Sequence, residues 1–231
     1  MDPVPHSRQD DFSKQLSGFG PVGIIAALII LFTGNIVLPN LVVLPIGALL
    51  VLIWAKLSQT PWREIGYGKP RNIFLTVAGG IIFGIAFKFF MKAILMPVFG
   101  ADPVNHSYHF LAGNKNLLPA AIWAMLAAGF GEETVFRGFM FERLRKLLGK
   151  ELLMTVVIIL ITSAWFAFGH YSNQGWTGVE QAAVTGLTFG TIYAATGKIW
   201  FVMIAHSFFD LTALWMIYRD IETQIAHLIF K

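Results

Sequence analysis

The stretch GFGEETVFRGF, residues 129–139, closes a long apolar run and sets Glu132, Glu133 and Arg137 within six positions. The residues before it, LLPAAIWAMLAA at 117–128, are continuously apolar rather than alternating, which favours a helix over a barrel strand. On a helix Glu133 and Arg137 stand four apart and share a face, so they can pair. Glu132 lies about 100° further round and cannot point the same way. The geometry separates a paired carboxylate from a free one, and a free carboxylate is available as a general base. The bland reading is that both glutamates sit at an interface, beside a basic loop.

The rest of the chain makes the apolar setting a membrane. Of 231 residues 56% are hydrophobic and 13% charged, with a mean hydropathy of +0.66. Soluble domains carry about a quarter charged residues. Only helices and closed barrels satisfy their backbone in lipid, and the continuous runs predict an all-α, polytopic transmembrane bundle. About seven spans are expected, within a range of six to eight, at 19–38, 41–57, 73–97, 117–136, 152–170, 179–197 and 199–218. Pro39 and Asn40 predict a tight hairpin between the first two. Residues 1–18 read as a polar tail without the layout of a cleaved signal, 19–218 as a single domain, and 219–231 as an interfacial tail with Ile221, Ile225, Leu228 and Ile229 at helical spacing. No cysteine is present, which excludes disulfides, thiolate metal sites and cysteine nucleophiles. The net charge of +4 comes from residues flanking apolar spans and is no signal for nucleic acid.

Lysine and arginine placement gives an orientation. Twelve of them flank one side, from Arg8 and Lys14 through Lys69 and Lys146 to Lys198, against Lys115, Arg219 and Lys231 on the other. The N-terminus is expected in the cytoplasm, and the membrane to be a plasma (inner) membrane of bacterial type. Lys88 and Lys92 fall inside the third span, four apart on one face. They read either as a contact for substrate or partner, or as long side chains snorkelling to the outer interface.

Ionisable groups inside a bilayer cost at least ~2.5–3.5 kcal/mol each, so each is a site candidate. Here they are Glu132, Glu133, Arg137, His170, Glu180, His206 and Asp210. In WFAFGHYSNQG, residues 165–175, Phe166 can pack on His170 four residues later. If the chain turns back near Gly149, facing positions of the two helices have numbers totalling about 300. Glu132 and His170 then lie at similar depth and can share a water. In IAHSFFDLT, residues 204–212, His206 and Asp210 share a face. Between these motifs Ala182, Gly186, Gly190 and Ala194 form a ridge of small residues suited to close helix packing. His206 and His170 reach one depth only if the FERLRKLLGKE hairpin projects beyond the membrane by about two turns.

This order of motifs (Glu-Glu-xxx-Arg, Phe-xxx-His, a glycine-spaced helix, His-xxx-Asp) resembles the CPBP family, the CAAX proteases and bacteriocin-processing enzymes also called Abi. The resemblance covers about 117–215, and PWREIGYG at 61–68 looks like the family's interhelical connection. It implies an intramembrane endopeptidase acting on a peptide or membrane-protein segment. Glu132 and His170 would activate water, Glu133 and Arg137 would support them, and His206 would stabilise the oxyanion. Position 210, often Asn in the family, is Asp here. An ionised Asp cannot donate to an oxyanion. Asp210 is therefore protonated, or orients His206, or binds something cationic. No cofactor is expected. The alternative is zinc held by Glu132, His170, His206 and Asp210, although the chain has no HExxH. Two other functions compete: a catalytically idle membrane scaffold that binds a protein partner, and a Glu/His proton-coupled transporter, for which no inverted repeat is visible.

Overall fold

The computed structural model describes residues 8–33 and 40–230, so the hairpin expected at Pro39 and the start of the polar tail lie outside the described residues. Among these, every regular element is helical. In order they are α1 (Arg8–Ser17), α2 (Pro21–Thr33), α3 (Asn40–Leu57) and α4 (Ile73–Phe90), which runs through a π-helical turn (Met91–Leu95) into α5 (Met96–Val98). A 3-10 turn (His109–Leu111) precedes α6 (Leu118–Glu133), and a second π-helical stretch (Thr134–Met140) joins α6 to α7 (Phe141–Leu148). Then come α8 (Leu152–Gly169), α9 (Tyr171–Thr196), α10 (Ile199–Tyr218) and α11 (Glu222–Ala226).

Three runs are long and apolar enough to cross a membrane: Ile73–Val98, Leu152–Gly169 and Ile199–Tyr218. The pair Gln9–Ser17 and Pro21–Thr33, bent by 58°, would make a fourth. That is fewer than the seven expected, which length and composition of the described residues do not confirm. α6 has 16 residues before the π stretch, two of them glutamates. α9 carries Gln174, Glu180 and Gln181 and is kinked at Gly175 (φ 61°, ψ −156°). α6 and α9 thus fall short as simple apolar rods, while α10 passes although it carries His206 and Asp210.

α10 lies between α4 and α6, α8 packs on α9, and α3 packs on α6. Two glycines set how closely α10 is held. A Cβ on Gly84 would lie 2.2 Å from the carbonyl oxygen of Ala205, and one on Gly129 would lie 2.2 Å from Ser207 Oγ and 2.6 Å from its backbone nitrogen. Only glycine permits such backbone approach between apolar helices. The small-residue ridge of α9 faces α8, where a Cβ on Gly186 would stand 3.0 Å from that of Ser163. The effect of these contacts is to lay residues 206–210 of α10 directly along the end of α6.

The basic end of the bundle is tied together by specific bonds. Arg143 donates to the carbonyl of Ser17 at 2.7 Å and lies over the Trp54 ring at 4.6 Å. Lys146 pairs with Glu142 at 2.6 Å. The connection 61–68 docks on the π stretch: Ile65 is fully buried, and Tyr67 and Thr134 share a hydrogen bond of 2.7 Å between hydroxyls. Gly66 (φ 84°) accepts from Ile199 N at 3.1 Å, turning the connection against the start of α10.

At the other end the structure corrects one reading of the two lysines. Neither Lys88 nor Lys92 snorkels; both are buried and end on named acceptors. Lys88 Nζ donates to Gln181 Oε1 at 2.8 Å. Lys92 Nζ pairs with Glu222 Oε1 at 2.9 Å and also donates to the Pro103 carbonyl. Glu222 and Ala226 are consequently buried, while Leu228, Ile229 and Phe230 stay exposed. The C-terminal segment is thus docked at its first turn, and only its last residues offer an apolar surface.

Candidate active site

The site begins where α6 stops being α-helical. The π stretch opens directly after Glu133 and contains Arg137; such widened turns often occur at functional sites. Glu133 has no solvent exposure and Arg137 almost none. Arg137 Nη1 donates to Glu133 Oε1 at 2.9 Å, and Nη2 donates to the Gly186 carbonyl at 3.1 Å. The guanidinium lies over the Phe166 ring at 5.0 Å and the Phe189 ring at 6.0 Å. These bonds offset part of the cost of burying the pair, while Glu133 Oε2 and Arg137 Nε are buried without a hydrogen-bond partner.

Glu133 does more than hold Arg137. The same Oε1 lies 2.8 Å from His206 Nδ1. A carboxylate paired with arginine only accepts, so Nδ1 carries a proton and donates it. The imidazole is further fixed by Phe189 and Phe166, with ring centroids 5.3 and 5.9 Å away. Its other nitrogen, Nε2, lies 3.7 Å from Glu132 Oε2 and 3.5 Å from Asp210 Oδ2. Both separations are ion-pair rather than hydrogen-bond distances. Nε2 therefore points between two carboxylates without being bonded to either. The side chains of Glu132 and Asp210 keep 16% and 21% exposure, against 5% for His206, so the two carboxylates form the accessible wall of the site.

His170 ends α8 on the other side. Its Nδ1 lies 2.9 Å from the Phe166 carbonyl. A carbonyl only accepts, so Nδ1 holds a proton and donates it, which leaves Nε2 to face the site. Phe166 also packs edge-on against the His170 ring at 4.7 Å. The α7–α8 hairpin turns at Gly149 (φ 101°), and Phe136 meets Phe166 at 5.1 Å in the register that sets Glu132 opposite His170. The two are near enough that a charge on His170 would act on Glu132 and on Asp210. They make no ion pair within 4.0 Å. Glu180 is half-buried on α9.

One contributor has no signal in the sequence. Tyr108, on the loop between α5 and α6, packs against Leu111, Ala121, Leu214 and Ile217. Burial pushes its hydroxyl above the usual tyrosine range, and the charges of Asp210 and then Glu132 push in the same direction. The loop thus borders the carboxylate wall. Lys88 also comes near, with its Nζ over the Phe209 ring at 4.7 Å.

Residues 114–212 match the Rce1-like family, described as type II CAAX prenyl endopeptidase. The Rce1-like segment contains all of Glu132, Glu133, Arg137, Phe166, His170, His206 and Asp210. It is consistent with the CPBP family and supports a CAAX-type intramembrane protease, hence a hydrolase acting on a peptide or protein. With its apolar helices, the chain is an integral membrane protein. It has no significant match among curated proteins or among solved structures. Among the described residues, no group of three or more His, Asp or Glu is arranged to hold a metal ion.

Proposed function

We propose that this protein is an intramembrane endopeptidase in which Glu132 and His170 activate a water for attack on a peptide carbonyl. The observation that carries the reading is His206, bonded through Nδ1 to Glu133 and presenting Nε2 beside Glu132. As water attacks, Glu132 takes one of its protons and the carbonyl oxygen becomes an oxyanion. Nε2–H of His206 donates to that oxygen, with the Glu133–Arg137 pair holding the ring and balancing its charge. The proton held by Glu132, or one relayed by His170, passes to the amide nitrogen as the C–N bond breaks. A carboxylic acid and an amine leave. No step is routed through a metal.

The experiment that tests this reading is a comparison of membrane-fraction peptides from cells carrying wild type or Glu132→Ala. The proposal expects at least one peptide with a new terminus that only wild type produces. An idle scaffold or a transporter gives identical peptide sets.

Metal independence is expected as well. The purified protein keeps its turnover after dialysis against a strong chelator and holds well under one equivalent of zinc per chain. Asp210→Asn still turns over substrate, because an amide can donate to the oxyanion where a carboxylate cannot. Loss of activity on chelation with recovery on zinc alone would replace the glutamate mechanism with a metal one.

We further propose seven spans, with α3, α6 and α9 also lying in the bilayer, and a cytoplasmic N-terminus in a bacterial-type inner membrane. Support comes from the clustering of Arg143, Lys146 and Lys198 with the Ser17 carbonyl, Glu64 and the Lys69 carbonyl at one end of the bundle. Cysteine introduced at Lys69 is expected to resist a membrane-impermeant thiol reagent in intact cells, and at Lys115 to react. Both positions are exposed, and the chain has no cysteine of its own. Labelling at 69 and not at 115 would invert the orientation.

A further inference from the structure

We propose that Lys88 is the counter-charge of Asp210, a positioning residue that lets a carboxylate stand beside the oxyanion site. The proposal deepens the peptidase reading, but its main test does not depend on turnover. Three carboxylates, Glu132, Glu133 and Asp210, crowd the ring of His206. Arg137 is committed to Glu133. Asp210 lies 3.5 Å from the nitrogen that would donate to the oxyanion. A negative charge there opposes the charge that develops in the reaction unless a cation offsets it.

Lys88 is the cation placed to do so. It is 6% exposed, far below what a lysine in search of water would show. α4 is pressed onto α10 at Gly84, which brings Lys88 Nζ over the ring of Phe209, the neighbour of Asp210. Gln181, from α9, fixes the ammonium at 2.8 Å but is neutral, so it leaves the charge uncancelled. The titratable and charged groups that face Asp210 are His206 at 3.5 Å on its own helix, Lys88 on α4, His170 at the end of α8, and Glu132 and Glu133 on α6. Lys88 is the lysine among them without a carboxylate bonded to it, since Lys92 one turn on is taken by Glu222.

The test is a double-mutant cycle read by thermal unfolding of the purified protein in detergent. Lys88→Met strands Asp210 and should lower the unfolding temperature by several degrees. The same change made with Asp210→Asn removes only the bond to Gln181 and should lower it far less. Lys88→Arg, which keeps the charge, should stay close to wild type. If Lys88→Met alone does not accumulate, recovery of folded protein in the double variant reads the same coupling. An equal loss in both backgrounds, or none in either, overturns the proposal and leaves Lys88 as a packing residue or a bystander. Per folded protein, Lys88→Met should also slow peptide cleavage by about tenfold, with the rate restored when Asp210→Asn is added. A rate loss that Asp210→Asn does not restore overturns it too.

Discussion

Glu133→Ala will cost the protein its folded state before it costs it any chemistry. The carboxylate is wholly buried and one oxygen serves two cations, Arg137 at 2.9 Å and His206 at 2.8 Å. Removing it leaves a guanidinium charge with almost no exposure bonded to the Gly186 carbonyl and packed between two aromatic rings, with no carboxylate hydrogen-bonded to it. Stranding one member of a buried pair costs about 3–5 kcal/mol, a large part of a typical domain's stability. The expected result is a marked fall in the amount of folded protein extracted from membranes. Glu133→Gln, which keeps the shape and one acceptor oxygen, should lie between Glu133→Ala and wild type. Normal accumulation of Glu133→Ala would mean that the pair does not hold the helices.

Part of this arrangement was legible in the residues. The i, i+4 spacing of Glu133 and Arg137 is enough to pair them on any helix, and the hairpin register opposes 132 to 170 without knowledge of the packing. The bond from Glu133 to His206 was not legible, because it joins α6 to α10 across 73 positions. It depends on the backbones touching at Gly129 and Ser207, and the glycine in the opening stretch is its only trace. The π stretch leaves no periodic mark, since a widened turn is made by tertiary context rather than by composition. Lys88 and Lys92 were ambiguous because an apolar run with two lysines reads alike whether they reach water or a partner. Gln181, 93 positions on, decides the first and Glu222 the second. The seven-span count is not confirmed by length and hydropathy: α6 gives up apolar residues to Glu132 and Glu133 and α9 to Gln174, Glu180 and Gln181, while α10 passes with His206 and Asp210 in it.

Glu132→Gln is the opposite kind of change. Glu132 is 16% exposed and its contact with His206 is 3.7 Å, too long for a hydrogen bond. Glutamine fits the same space, so the folded level should match wild type. What is lost is the ability to take a proton from water, since an amide is not a usable base near neutrality. Removing a general base costs about 10²–10⁴-fold in rate. Glu132 and Glu133 are adjacent in sequence and identical in type, yet they should fail in different ways, one in chemistry and the other in folding.

The central claim is that Glu132 is the base that activates water, and cleavage by the purified protein reconstituted in lipid tests it most directly. The substrate is a peptide whose cleavage depends on wild type in membranes, assayed at equal amounts of folded wild type and Glu132→Gln. The account predicts product from wild type and only background from Glu132→Gln. Equal product from both would contradict it.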